Sequence, residues 1–186
     1  MKNIYILLTR SDTIVSRAIL FCTGADYTHA SLAYDGELNS LSSFARRDPR
    51  FALPAGLVRE NICEGFYALH DGIPCMLLSL TVSDEAHRRI AERVESMLSV
   101  REEYGYSLLG LLTCFSGLPW ERQRRYFCSQ FVASVLAESG AVALPKPPSL
   151  MHPCDFLDLP GARCLYQGPV SGLRWIRSAA PTLMVQ

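Results

Sequence analysis

The stretch Arg124-Arg125-Tyr126-Phe127-Cys128-Ser129-Gln130-Phe131-Val132 runs an aromatic pair straight into a cysteine. An apolar pattern follows at Phe131, Val132, Val135 and Leu136 and closes at Gly140. Apolar positions three and four apart mark one face of a helix, and a glycine after the last of them is a usual stop. The pattern therefore predicts a helix with Cys128 in its first turn. There, free backbone N–H groups and the helix dipole stabilise a thiolate, and the same N–H groups can hold an oxyanion. The competing account is a buried small hydrophobe, the usual state of a free cysteine.

A second stretch lies far upstream. Tyr27-Thr28-His29-Ala30-Ser31-Leu32-Ala33-Tyr34 is followed by Asp35-Gly36 and then by Glu37 to Phe44. Asp-Gly between two β-type runs signals a hairpin, because a type I′ turn needs φ > 0 at both central residues. If Tyr34 faces Glu37, His29 lies opposite Ser42. One face of the hairpin then carries His29, Ser31, Ala33, Leu38, Ser40 and Ser42, and the other carries Ala30, Leu32, Tyr34, Asn39 and Leu41.

These two stretches supply the parts of a Cys–His pair: a thiol in an electropositive niche and an imidazole on a rigid strand to take its proton. A third group must orient the imidazole and fix its tautomer. Ser42 is the candidate by the turn register, with Ser40 next if the hairpin slips by two. A strand histidine satisfied by its neighbours is the ordinary alternative. His87 falls on the polar side of a helix, and His70 and His152 lie beside turn residues.

Around this pair the chain reads as α+β. Ile4 to Leu8 is a short buried strand. Ser11 or Asp12 caps a helix carrying Ile14, Val15, Ala18, Ile19 and Cys22 and stopping at Gly24. Ala45 to Val58 reads as a loop with Arg46, Arg47 and Arg50 among prolines; it is a solvated charged loop or, alternatively, a grip for an anion. Phe66 to Leu69 and Cys75 to Thr81 read as strands. Ser83 caps a helix with Asp84 and Glu85 in its first turn. Ile90, Val94 and Met97 or Leu98 form its apolar face, which is expected to cover one side of the sheet. Tyr104 to Phe115 reads as a second apolar helix, with Leu108, Leu109, Leu111 and Leu112 in the core or, alternatively, lining an acyl pocket. Pro145-Lys146-Pro147-Pro148 is a rigid connector, Arg163 to Tyr166 is a last strand, and residues past Trp175 are expected to fray.

The 186 residues suit a single domain spanning 1–186. Hydrophobic residues make up 49% and charged residues 19%, with 18 basic and 18 acidic side chains. That balance favours neither nucleic acid nor an anionic membrane as partner. Seven cysteines, an odd number with no Cys-x-x-Cys pair, argue against a disulfide framework and a zinc site of common spacing. The apolar run Ile4 to Leu8 is too short for a signal-peptide core, so a cytoplasmic protein is expected, and no run reaches transmembrane length.

The order Tyr27-Thr28-His29-Ala30-Ser31-Leu32 early and Tyr126-Phe127-Cys128-Ser129-Gln130-Phe131-Val132 late, with Leu41-Ser42-Ser43-Phe44-Ala45-Arg46 between, resembles the circularly permuted papain-like amidases. These form the permuted branch of the NlpC-type cell-wall peptidase superfamily, related to lecithin–retinol-acyltransferase-like enzymes. In that branch the histidine strand precedes the cysteine helix, as here. The resemblance implies a permuted papain-like fold, an antiparallel sheet packed against helices. It makes Cys128 the nucleophile and His29 the general base, with the third polar member at Ser42 or close by. Family members often place Glu, Gln, Asn or His in that third role, so a serine is a departure. Tyr27 and Tyr126 flank the motifs and, with Ser40, are candidates to line the substrate site.

The implied reaction is acyl transfer through a thioester, with the backbone N–H of Cys128 in the oxyanion hole and no metal or organic cofactor. The substrate would be a small peptide, amide or lipid-like acyl compound. Two rivals stand beside it: a catalytically silent ligand-binding member of the same fold, and a thiol redox sensor, against which the lack of a resolving cysteine close in sequence counts.

Overall fold

The structure is a computed structural model. It describes residues 1–10, 26–38, 40–48 and 54–179. The helix expected between Ser11 and Gly24, with Cys22, and the positions Asn39, Pro49 and Arg50 lie outside the described residues.

The first strand, β1 (Lys2–Thr9), is apolar and buried from Ile4 to Leu8, which requires cover on both faces. It sits inside an eight-stranded sheet, antiparallel between β2 (His29–Ala33) and β5 (Pro74–Val82). Beyond β2 come β3 (Leu41–Arg46), β4 (Ala55–Glu60), β6 (Gly105–Tyr106) and β7 (Arg125–Tyr126); beyond β5 comes β8 (Arg163–Pro169). All pairings are antiparallel except β6 with β7, which run parallel. The chain is thus α+β with a mixed sheet, not a wholly antiparallel one.

Five helices complete the described fold: α1 (Gly65–Leu69), α2 (Asp84–Ser99), α3 (Leu108–Phe115), α4 (Cys128–Ser139) and α5 (Val170–Ala179). Helix α2 begins where expected: the Ser83 hydroxyl accepts from Ala86 N–H at 3.1 Å, and Asp84 and Glu85 occupy the first turn. Its buried stripe, Ile90, Val94 and Met97, joins one core with Ile4, Ile6, Leu8, Leu32 and Phe44. Helix α4 supplies Phe131, Val132, Val135 and Leu136 to the same core, all at most 1% exposed. Each such side chain contributes about 1.5–3 kcal/mol of apolar burial. Gly140 ends α4 at φ 69°, in the left-handed region that other residues resist. A second core lies on the other face, around Tyr5, Leu7, Ala33, Leu41, Tyr67 and Leu77.

Several expectations are corrected. The Asp35-Gly36 hairpin exists but is not a two-residue turn. Strand β2 stops at Ala33 and β3 starts at Leu41; the positive φ between them falls on Leu38, at 55°, and the Asp35 carboxylate accepts from Ser40 N–H at 2.9 Å. Leu38 is fully buried, so the loop widens to sink it into the second core. The expected turn would have put Leu32 opposite Asn39, whereas Leu32 pairs with Ser42. The offset is odd, and an odd offset turns every side chain of the strand to the opposite face.

The segment read as a loop up to Val58 contains β4, whose Ala55–Glu60 pair residue by residue with Arg46–Leu41. Phe66 to Leu69 lies in helix α1, not a strand. Gly105–Tyr106, expected in the second apolar helix, forms β6, and α3 starts only at Leu108. Of that helix's leucines only Leu111 is buried; Leu108, Leu109 and Leu112 are exposed. Arg47 bonds to Glu102 and to the carbonyls of Arg101 and Tyr104, so it ties the β3 end to the turn before β6. Among the described residues no helix is long and apolar enough to cross a membrane.

Candidate active site

Two elements meet at one end of the sheet. Phe127, extended at φ −102° and ψ 169°, is the N-cap residue of α4, so Cys128 is its first helical residue and its N–H has no partner within the helix. The helix packs on β2 and β3. Its first turn meets the start of β2, where Cys128 Sγ lies 4.0 Å from the Thr28 carbonyl. Cys128 is 3% exposed.

The His29 ring lies against the Cys128 side chain. His29 Nε2 is 3.4 Å from Glu60 Oε2 and 3.3 Å from Ser31 Oγ. The Ser31 hydroxyl donates to Glu60 Oε2 at 2.5 Å. Side-chain exposure is 17% for His29 and 12% for Glu60, so the pair is largely dry.

The charges follow from these contacts. For His29, burial pulls toward the neutral ring, but the Glu60 carboxylate and the Cys128 bond outweigh it and raise the pKa to about 10. For Glu60, burial again opposes ionisation, and the imidazolium, with the Ser31 hydroxyl, holds the carboxyl below its usual range. For Cys128, burial would raise the thiol. The hydrogen bond and charge of His29, together with the N–H groups of Ala30 and Ser129, bring it below its ordinary value. Tyr106, at the end of β6, stands beside the same sulfur; burial, and the charge Cys128 carries when ionised, push its own pKa well up. The arrangement favours ionisation of Cys128 against an imidazolium backed by a carboxylate.

The sequence-derived candidates fare unevenly. Cys128 and His29 are brought together. Ser42 is not at His29: it pairs with Leu32, is fully buried, and its hydroxyl donates to the Ser40 carbonyl at 3.3 Å. The odd register offset put Glu60 beside the ring instead, next to Ser31, which shares the His29 face of β2 whatever the register. Ser40 bonds the Asp35 carboxylate and closes the hairpin loop. Tyr27 is 4% exposed in the main core and accepts from Gln167 Nε2 at 3.3 Å. Tyr126 packs on Phe44 at 5.3 Å and also faces a shallow cleft with Gln130 and Ser134 on the outer side of α4.

The sequence reading missed Glu60 and Tyr106. A signal for Glu60 was present: Gly56-Leu57-Val58-Arg59-Glu60 continues as a β-type run past the prolines. Tyr106 carried none, since a tyrosine beside an apolar run reads as packing.

A second cysteine–histidine contact exists. Cys114 Sγ is 3.8 Å from His152 Nε2. Burial raises this thiol to about 11 and lowers the His152 pKa, so the pair is neutral. Among the described residues no carboxylate contacts this ring as Glu60 contacts His29; Asp155 instead accepts from the His152 backbone N–H and pairs with Lys146. The six described cysteines are all free thiols. His87 and His70 bond the Tyr34 and Phe66 carbonyls. Among the described residues no group of three His, Cys, Asp or Glu side chains could hold a metal ion. Comparison with protein-family models finds no match, and comparison with curated proteins finds none.

Proposed function

We propose that the chain is a cysteine-dependent amidase, peptidase or acyl hydrolase with a permuted papain-like fold of the NlpC type. Its catalytic residues are Cys128 and His29, with Glu60 as the positioning residue. One observation carries this reading: Cys128, in the first turn of α4, lies against an imidazole whose Nε2 is engaged by a buried carboxylate. The chain order, histidine strand before cysteine helix, agrees with the permuted arrangement.

The Cys128 thiolate attacks the carbonyl carbon of an amide or ester. The new C–S bond sends the carbonyl π pair onto oxygen, and the oxyanion is held by the Cys128 N–H and the Tyr106 hydroxyl. The His29 imidazolium gives its proton to the leaving amine or alcohol as the C–N or C–O bond breaks. A thioester remains. Neutral His29 then takes a proton from water, or from another acceptor, as that oxygen attacks the thioester. Collapse releases the acyl product and restores the thiolate, with the proton back on the imidazole. Glu60 keeps its charge throughout and stabilises the imidazolium.

The test is the alkylation rate of every cysteine against pH, followed by mass spectrometry, in the wild type and in His29→Ala. An unperturbed thiol titrates near about 8.5. Cys128 is expected to react fast well below that, and His29→Ala to remove the advantage. A Cys128 that alkylates at the same pH as exposed Cys63 and Cys164 sinks the reading. Tyr106→Phe probes the oxyanion role. Loss of one such donor costs about a hundredfold in kcat, measured on an activated acyl ester, with Cys128 alkylation remaining fast below pH 8.

A further inference from the structure

We infer that α3 and the segment after it form a docking face for an anionic lipid bilayer. Tyr106 to Trp120 contains no charged residue, and Glu121-Arg122-Gln123-Arg124-Arg125 follows directly. Helix α3 turns Gly110, Leu111 and Cys114 inward, against Phe127 and Ser107. Its other face carries Leu108, Leu109 and Leu112, which are 49%, 53% and 64% exposed.

The helix then closes on itself. Gly117 N–H bonds the Cys114 carbonyl, Leu118 N–H bonds the Thr113 carbonyl, and Gly117 has φ 68°. This Schellman ending folds Leu118 back onto the last turn. Leu118 is 60% exposed and Trp120 43%. Eleven large hydrophobic side chains are exposed among the described residues, and five of them fall in this one segment. Concentration of that kind marks an interaction surface, where scattered exposure would not.

The rim decides the occupant. Trp120 stands where the apolar run gives way to charge, the place an interfacial tryptophan takes between acyl chains and headgroups. Arg122 and Arg124 are exposed just beyond it, with Arg125 half-buried. Arg124 pairs with Glu103, while Arg122 and Arg125 make no ion pair among the described residues. Glu121 is the one carboxylate of the segment. An apolar helix face bordered by tryptophan and arginine suits the surface of a bilayer containing anionic lipid. Pairing this face with itself would instead bring two basic rims together.

The face also continues into the site. It is the crossover that joins parallel strands β6 and β7, and those strands lead to Tyr106 on one side and to Phe127 and Cys128 on the other. Docking through α3 would therefore hold the Cys128 end of the sheet beside the lipid.

The experiment is cosedimentation of the full chain with vesicles of phosphatidylcholine alone and of phosphatidylcholine mixed with phosphatidylserine. Wild type is expected to pellet with the mixed vesicles. Arg122→Gln should weaken that binding about fivefold, the effect of one arginine near an anionic surface, and the double variant Leu109→Glu/Leu112→Glu should abolish it. Both leucines are exposed, so the double variant keeps its far-ultraviolet circular dichroism. If it does not, Trp120→Ser serves in its place. Cys128→Ala, which silences the proposed chemistry, binds vesicles as wild type does, so the docking face and the catalytic reading fail separately. Three outcomes overturn the inference: no pelleting of wild type with the mixed vesicles, equal pelleting of the double variant, or light scattering that shows a wild-type dimer dissolved by the leucine substitutions.

Discussion

Cys128→Ala abolishes turnover of any acyl substrate, with a fall of about a millionfold in kcat, the scale seen when a nucleophile of a concerted catalytic unit is removed. The substitution deletes one sulfur from a site 3% exposed, so its structural cost is about 1 kcal/mol and the fold persists. His29→Ala should fall by a comparable factor, and the double variant little further, because the two groups act as one unit. The measurements are nitrophenol release from activated esters and mass spectrometry of the acylated protein. Wild type is expected to carry the acyl group on Cys128 as a thioester. Cys75 and Cys114 offer no substitute nucleophile, since burial pushes their thiols up to about 12 and about 11. An acyl group found on Cys114 in the Cys128→Ala variant, with turnover retained, would move the chemistry to the His152 pair and end the present assignment.

Glu60→Gln carries the second large effect. The variant keeps a hydrogen-bond acceptor for His29 and removes the charge. Loss of an orienting carboxylate costs up to about ten-thousandfold in kcat, and a fall of about a thousandfold or more is expected. The pH profile identifies the cause. In the wild type, activity needs the thiolate, so it falls in acid below the lowered Cys128 pKa, and it needs the imidazolium, so it falls in alkali near pH 10. An opposite charge at this range shifts a pKa by about 1–3 units. Without Glu60 the alkaline limb should move down by that amount. An unmoved limb, with kcat reduced, would make Glu60 a packing residue only.

The same groups set a pH dependence of stability, and each has its own sign. Glu60 is depressed in the fold, so its contribution is present above the unfolded value near about 4.3 and is lost as pH falls through the lower folded value. His29 is raised, so its contribution is full below about 6.5 and is lost as pH rises through about 10. The pair therefore stabilises most between those two unfolded values. Cys128, being depressed, contributes in the opposite alkaline direction, so the comparison belongs in Cys128→Ala. There, urea midpoints should be higher at pH 5.5 than at pH 10, and Glu60→Gln should shrink the difference.

The sequence by itself determined the α+β class, the cysteine in the first turn of a helix, the histidine on a strand and the capped helix after Ser83. Each is a local matter, decided by apolar spacing, a cap or a glycine within a few residues. The third member of the site was not local. Glu60 lies 31 positions from His29, and its approach depends on which face of β3 and β4 turns inward. A buried Leu38 set that face by widening the hairpin loop, and one odd step moved Ser42 away and brought Glu60 to the ring beside Ser31. Tyr106 likewise reaches the sulfur only because β6 pairs with β7, a parallel contact with no sequence signature. The leucines of α3 read as core, and only packing decided that one side of that helix had a partner and the other had none. Period and caps fix the elements; register and packing, which act between residues far apart in the chain, fix the site.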